Sequence, residues 1–265
     1  MLTHDNLQAK LSNSNSAIGN RSGIVGISAK LVTTREDVRE MQSLRYRSYL
    51  SAGYLAPDAS TTFSDQYDEQ PTSQSILIFH NGTAAASVRV CMFDPTIKQG
   101  PGSSIPATPI FGTEIRNYMT NVLSEFAKPR AVEITRLSRH PDYKRNIALV
   151  MTIFNLIGYL VLNFDAHAMF ATVTEEHIPF YKRMGFNLIC KPKRYPGLNV
   201  DTVLLGCPST EHRGIKGMTV ALPDMSSSDP NFKKLFSGEK FAVSSSNRIL
   251  GDTNNYKSIS LNPRP

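Results

Sequence analysis

Residues 131–174 read AVEITRLSRHPDYKRNIALVMTIFNLIGYLVLNFDAHAMFATVT. The stretch opens on a short β-branched run and closes on another, "AHAMFATVT" at 166–174. Between them, residues 146–164 run nineteen positions without a charge, long enough to span a bilayer. Three asparagines, with Asn155 in mid-run, and the immediate return to a strand point instead to a helix buried on most sides. The stretch therefore reads as strand, long apolar helix and strand. Two residues of the first strand do not fit a plain core. Glu133 and Arg136 are both costly to desolvate unless they are paired or working.

On either side the pattern extends this unit into a mixed α/β sheet in one domain. "VGISAKLV" from Val25 reads as a first strand. "TTREDVREMQSLRYRSYLSAG" reads as a helix, with Thr33 and Glu36 spaced as a capping box and Val38, Met41 and Leu44 at helical intervals. Residues 51–74 form a polar loop. "SILIFH", the turn Asn81-Gly82 and "TAAASVRVCMF" give the clearest hairpin signal in the chain. A Pro/Gly-rich connection (94–109) leads to a helix around 113–126, ahead of the quoted strand. After it, "HIPFYKRMGF" reads as a short helix, and "LICKPK" and "DTVLLGC" as a closing strand pair. The expected organisation is a mobile segment over 1–24, the domain over 25–207, and an extension or tail over 208–265, where "NFKKLF" and "RIL" offer apolar anchors.

Composition narrows the function. The net charge is +7, with basic clusters at Lys144/Arg145 and at Lys191, Lys193 and Arg194. The chain has no tryptophan, no metal-ligand spacing and no basic helical stripe with interleaved aromatics, so nucleic acid is not the expected partner. A basic patch serves equally well to dock an acidic protein. Cys91, Cys190 and Cys207 are odd in number and widely spaced, which fits a reducing, cytoplasmic compartment better than a disulfide framework. Residues 1–24 hold no basic segment followed by an apolar core, so a secretory signal is not expected.

The remaining charges fall in an order. Arg45 and Tyr49 lie one turn apart on the first helix, Asp65 and Asp68 in the polar loop, Arg89 in the second hairpin strand, and Glu133 and Arg136 on the later strand. Three acids and three arginines suit a closed, mutually neutralised network. In a regular strand, 133 and 136 point to opposite faces. Either they serve different sites or a bulge between them realigns the pair; the bulge is the expectation, and it would free a backbone group to hold a substrate carbonyl.

These residues carry a resemblance. "HIPFYKRMGF" is similar to the Tyr-x-x-x-Gly-Phe helix-to-strand signature of the GNAT acyltransferase superfamily. "RYRSY", "DQYD", Arg89 and "EITR" in that order resemble the scattered motif of the acyl-homoserine-lactone synthases and the related FeeM-type N-acyl amino acid synthases. The likeness covers roughly 25–207. It implies a single GNAT-like domain with a mixed, mostly antiparallel sheet flanked by helices. It also implies Glu133 as general base, acting directly or through water, and Arg136 with Arg45, Tyr49, Asp65, Asp68 and Arg89 as the network shaping the substrate pocket. Tyr181 matches a tyrosine that lies near the leaving sulfur in many GNAT enzymes; packing of helix on sheet is an equally good use for it.

Two departures from the family pattern direct the choice of substrates. Ordinary GNAT enzymes bind the coenzyme A pyrophosphate on a glycine-rich loop opening the long helix, and here that loop, "HPDYKRNIAL", has no glycine. This favours acyl carrier protein as partner. Its phosphopantetheine arm would be the donor, Lys144, Arg145, Asn146, Lys191, Lys193 and Arg194 would meet the carrier, and no cofactor would be tightly bound. The absent tryptophan puts S-adenosylmethionine in doubt as acceptor and favours a free amino acid. The expected reaction moves a long-chain fatty acyl group from acyl carrier protein to the α-amine of an amino acid. No membrane span is expected, and peripheral contact through the lipid product stays open. An acyl-homoserine-lactone synthase is the alternative. A non-catalytic module for an acidic partner is the reading from another class, and an ordinary coenzyme A-dependent N-acetyltransferase comes last.

Overall fold

The computed structural model describes residues 26–215 and 218–243. The expected N-terminal segment 1–24 and the anchor "RIL" lie outside the described residues. Among the described residues, nine strands form one sheet in the order β6-β8-β5-β4-β3-β2-β1-β9, with β7 also paired to β8. The strands are β1 (Ile27–Leu31), β2 (Ser73–His80), β3 (Thr83–Phe93), β4 (Ala131–Arg139), β5 (Ala168–Val173), β6 (Asn187–Leu188), β7 (Lys193–Arg194), β8 (Asp201–Pro208) and β9 (Phe241–Ala242). Every pairing is antiparallel except β4 with β5. That parallel pair requires a long crossover. The apolar run supplies it as α3 (Ile147–Asn163).

The other helices are α1 (Arg35–Ser51), α2 (Thr108–Val122), α4 (Ile178–Arg183) and α5 (Pro230–Phe236). The capping box of α1 is shifted by one residue from the expected pair. Thr34 Oγ1 accepts from Asp37 N at 3.2 Å and Asp37 Oδ2 accepts from Thr34 N at 3.1 Å. Adjacent threonines followed by adjacent acids make the two registers indistinguishable by composition. Helix α2 begins five residues before the expected start, because Pro109 sits in its first turn, where the missing N–H costs nothing. The hairpin turn is as expected: Asn81 and Gly82 both have positive φ, 50° and 85°, as a two-residue turn of this hand requires.

Helix α3 is apolar all round because both of its sides are covered. One side packs on the sheet within the main core. On the other side lies the described part of the segment after 207. Met218, Leu222, Leu235 and Phe241 of this segment are buried in the same core. Phe232 stacks edge-on against Tyr159 at 5.8 Å, and a methyl added to Gly158 would collide with Met225 Sδ. Asn155, the polar interruption of the run, accepts the Val220 N–H at 3.0 Å and so ties the segment down. Among the described residues, no helix is long and apolar enough to cross a membrane. Residues 241–242 then extend the sheet beside β1. Gly185 stands between α4 and β6 at φ +98°, and a Cβ there would lie 2.6 Å from the Glu211 carbonyl oxygen. A glycine follows the α4 tyrosine for that reason.

Candidate active site

β4 and β5 pair from Ala131↔Ala168 to Ile134↔Ala171 and then separate. Thr172 and Val173 pair only with β8. On its other side β4 loses register with β3. Arg89 faces Thr135 and Ser87 faces Ser138, so Arg136 and Leu137 together oppose Val88. Arg136 takes φ +54°, a left-handed conformation that costs a non-glycine residue about 1 kcal/mol or more. The bulge thus exists, but at Arg136 and Leu137 rather than ahead of them. It turns Arg136 to the face carrying Arg89, Thr135 and Glu133, since Arg136 and Arg89 bind the same carboxylate. Where the strands part, a cleft opens with about 1000 Å³ of empty space, its open mouth included. Leu137, Val150, Phe154 and Phe180 form an apolar wall, while Thr172, Thr174 and His177 give polar atoms.

The ionic network lies behind the bulge. Asp65 receives two hydrogen bonds from Arg89, at 2.6 and 2.9 Å, and two from Arg136, at 2.9 and 2.7 Å. Asp68 binds Arg45 through both oxygens, at 3.0 and 2.9 Å, and Arg89 at 2.6 Å. Arg45 and Arg89 are wholly buried. Burial alone would raise the Asp65 carboxyl, but the guanidiniums of Arg89 and Arg136 hold it well below the usual carboxylate range. Phe63 and Tyr195 rings cover the Arg136 guanidinium at 4.9 and 5.5 Å. Tyr49 stays outside the ion pairs, lining the cleft with its ring 5.4 Å from Phe63.

Glu133 is the correction to the expected network of three acids. It forms no ion pair among the described residues. Its Oε2 accepts the Ala107 N–H at 2.7 Å and its Oε1 accepts the Thr172 hydroxyl at 3.0 Å. Ala107 is the N-cap residue of α2 and offers no side-chain cap, so the carboxylate serves the helix end. Glu133 is 0% exposed. Burial pushes it up to about 7, against the pull of the Ala107 and Thr172 donors and the charges of Arg89 and Arg136. It does not itself line the cleft; Thr172 stands between. Tyr181 does line the cleft, packed edge-on against Phe186 at 5.2 Å. Burial raises its hydroxyl above the ordinary tyrosine value.

Against known proteins, the model of the family described as N-acyl amino acid synthase FeeM matches residues 40–208, well over half of the chain. The chain belongs to the FeeM family. Among solved structures, that of FeeM, an N-acyl amino acid synthase from uncultured soil microbes, superposes with a TM-score of 0.57 at 14% identity. The match covers 76% of this chain and 98% of that one. The acyl-homoserine-lactone synthase LasI gives a TM-score of 0.51 at 14% identity, over 69% of this chain and 89% of that one. At such identities the likeness speaks for the fold. No curated protein matches the sequence. Family and fold make this FeeM-family chain an N-acyltransferase with a GNAT-like sheet.

The six residues expected to meet a carrier divide into engaged and free. Asn146 caps α3, accepting the Leu149 N–H at 2.9 Å. Lys193 pairs with Glu114 at 2.6 Å, and Arg194 hydrogen-bonds Asn199. Lys144 donates to Ser51 Oγ at 2.8 Å. Arg145 and Lys191 are exposed and make no hydrogen bond or ion pair among the described residues. Sequence reasoning missed Thr172 and Ala107. Thr172 could have been found from register: Glu133 faces Phe170 on β5, and the residue two further on shares its side. Ala107, on the loop before α2, leaves no comparable mark.

Proposed function

We propose that this FeeM-family protein transfers a long-chain acyl group from the phosphopantetheine arm of acyl carrier protein to the α-amine of an amino acid, in the cytoplasm. The observation that carries the reading is Glu133: a buried carboxyl titrating near 7, one hydroxyl behind the cleft wall, where the sheet opens. An ammonium cannot attack a thioester, and a base of this strength removes its proton near neutral pH.

The acyl chain lies along the Leu137, Val150, Phe154 and Phe180 wall. Glu133 takes one proton from the ammonium through the Thr172 hydroxyl, which accepts on its cleft side while donating to the carboxylate. The amine attacks the carbonyl carbon, the C–N bond forms and the C–S bond breaks. The second nitrogen proton goes to the departing thiolate, giving amide and thiol, and Glu133 returns its proton to solvent. The raised Tyr181 hydroxyl suits donating a hydrogen bond to the sulfur better than giving its proton away. Arg136 and its network keep the bulge in place.

The loop opening α3 supports a carrier protein over coenzyme A. It has no glycine, which restricts close approach of its backbone to a pyrophosphate. Part of that backbone is also taken: Tyr143 N donates to His140 O, Asn146 N to Tyr143 O, and Leu149 N to the Asn146 side chain. A free amino acid is favoured over S-adenosylmethionine by the absence of tryptophan.

The test is mass spectrometry of reactions holding the protein, long-chain acyl carrier protein and the twenty amino acids, with acyl-coenzyme A and S-adenosylmethionine exchanged in parallel. An N-acyl amino acid that disappears in Glu133→Gln is the expected result. A lactone formed only with S-adenosylmethionine would establish the lactone synthase instead. No product in any tube from folded protein would sink the enzymatic reading.

A further inference from the structure

Three cationic or cationisable side chains line the cleft: Arg136, Arg139 and His177. Arg136 is committed to Asp65 through two of its nitrogens. Burial lowers the His177 pKa below its ordinary value, with Glu176 opposing and Arg139 adding a smaller lowering. Arg139 differs from both. It is half-buried on the last residue of β4, its N–H is fixed to Ser48 Oγ at 3.2 Å, and its Nη1 donates to the Lys144 carbonyl at 2.6 Å. No carboxylate among the described residues lies within ion-pairing distance of it. Glu176, which acts on the adjacent His177, is turned to the Thr174 hydroxyl at 2.9 Å and to His177 at 3.6 Å. An arginine keeps its charge even where burial opposes it, and a partly desolvated cation without a counter-ion is unfavourable until an anion arrives.

We infer that Arg139 is the anchor for the carboxylate of the amino acid acceptor. This rests on the N-acyl amino acid reading above and gives that reading its means of choosing an amino acid over a simple amine. The bonds already made fix the guanidinium through Nη1, leaving Nη2 and Nε for the fork-shaped pairing that arginine offers a carboxylate. Position fits the role. Arg139 stands three residues beyond Arg136 on the strand that carries Glu133 and lines the same cleft as Thr172, and an α-carboxylate is one carbon from the amine that must reach Thr172. The phosphodiester of a pantetheine arm, by contrast, is separated from its sulfur by the whole length of the arm. Arg145, exposed and without an ion pair among the described residues, is a cation left for it.

The experiment measures kcat/KM for the amino acid that the wild-type protein acylates, for its methyl ester and for its decarboxylated amine, with the acyl carrier protein donor throughout. Wild type should prefer the free acid to ester and amine. Arg139→Met should lose roughly 10- to 100-fold on the acid, mainly in KM, as expected for one charged hydrogen-bonded pair. It should change the amine and the donor KM little, and Arg139→Lys should recover part of the loss. Equal losses on acid and amine, or a raised donor KM instead, would overturn the assignment and give the guanidinium to the donor. Should Arg139→Met not fold, wild type alone still decides, since equal use of acid and ester refutes a carboxylate anchor. Wild type that acylates no amino acid at all would remove the functional reading, and this inference with it, before any variant is made.

Discussion

Replacing Thr172 by valine keeps the shape of the side chain and removes the donor to Glu133 Oε1. Because Glu133 is 0% exposed, no water takes the donor's place without rearrangement. A hydrogen bond to a charged group contributes about 1.5–3 kcal/mol. At 1.36 kcal/mol per pH unit, its loss moves the carboxyl upward from about 7 by roughly one to two units. The direction follows from the charge: the hydroxyl stabilises the carboxylate over the acid, so its removal favours the proton. The assay is kcat/KM for acyl transfer between about pH 6 and 10, whose acid limb reports the base of the free enzyme. The acceptor ammonium titrates too, so wild type and variant are read with the same acceptor and only their difference counts. Thr172→Val should displace the limb to higher pH and also lower the plateau, since the proton's path runs through this hydroxyl. Thr172→Ser should restore both. A limb that stays where it is, with activity reduced evenly at every pH, would refute the link between Thr172 and the base and reduce the threonine to packing.

Glu133→Gln should lower transfer by about 10²- to 10⁴-fold while the protein folds, since the amide can accept from Ala107 N–H and donate to the Thr172 oxygen. The same variant tests stability. A carboxyl raised from 4.5 to about 7 makes the folded wild type lose stability as pH climbs through that window, by up to roughly 3 kcal/mol, and the glutamine should flatten this slope in urea titrations at pH 5 and pH 8. Asp65 works with the opposite sign: its depressed pKa stabilises the fold above the ordinary carboxylate range and is lost as pH falls below it. Asp65→Asn should cost about 3–5 kcal/mol by denaturation, because Arg89 and Arg136 then share an uncompensated buried charge; a loss under 1 kcal/mol would show that Asp68 alone suffices. Gly185→Ala should cost at least about 1–2 kcal/mol, from its positive φ and the carbonyl 2.6 Å from the new methyl.

Much of the frame was legible because local chemistry leaves few choices. Asn81-Gly82 admits one kind of turn, and the uncharged run 146–164 had to be a covered helix once Asn155 sat within it. The pieces of the site appeared in the right order, and the bulge followed from Glu133 and Arg136 being an odd number of residues apart on a strand. Other features depended on contacts between distant segments. Counting three acids against three arginines placed Glu133 in the network. Its actual partners are a backbone N–H on the loop before α2 and a threonine on β5, which no charge pattern marks. Pro109 read as the end of a connection and proved to be the first turn of α2. The segment after 207 carried too few apolar residues to announce a fold of its own, and its described part needs none, because α3 supplies the surface it covers.

The division of labour among the charges explains why the strand tolerates them. Asp65 and Asp68 pair with three arginines within the fold, at distances of 2.6–3.0 Å, leaving one net positive charge, and this fixes Arg136 in a conformation the backbone would otherwise avoid. Glu133 is kept apart from those arginines, and the separation matters to the proposed chemistry. A direct ion pair would hold it ionised and weakly basic, as Arg89 and Arg136 hold Asp65. Bonded only to one amide and one hydroxyl, the same side chain retains a proton affinity near neutrality. The bulge brings Arg136 to Asp65, and two residues before it the β4–β5 ladder ends, where Thr172 can face both the carboxyl and the cleft. Asp65→Asn should accordingly disturb activity as well as stability, since freeing the two guanidiniums beside Glu133 would draw its pKa down and weaken the base.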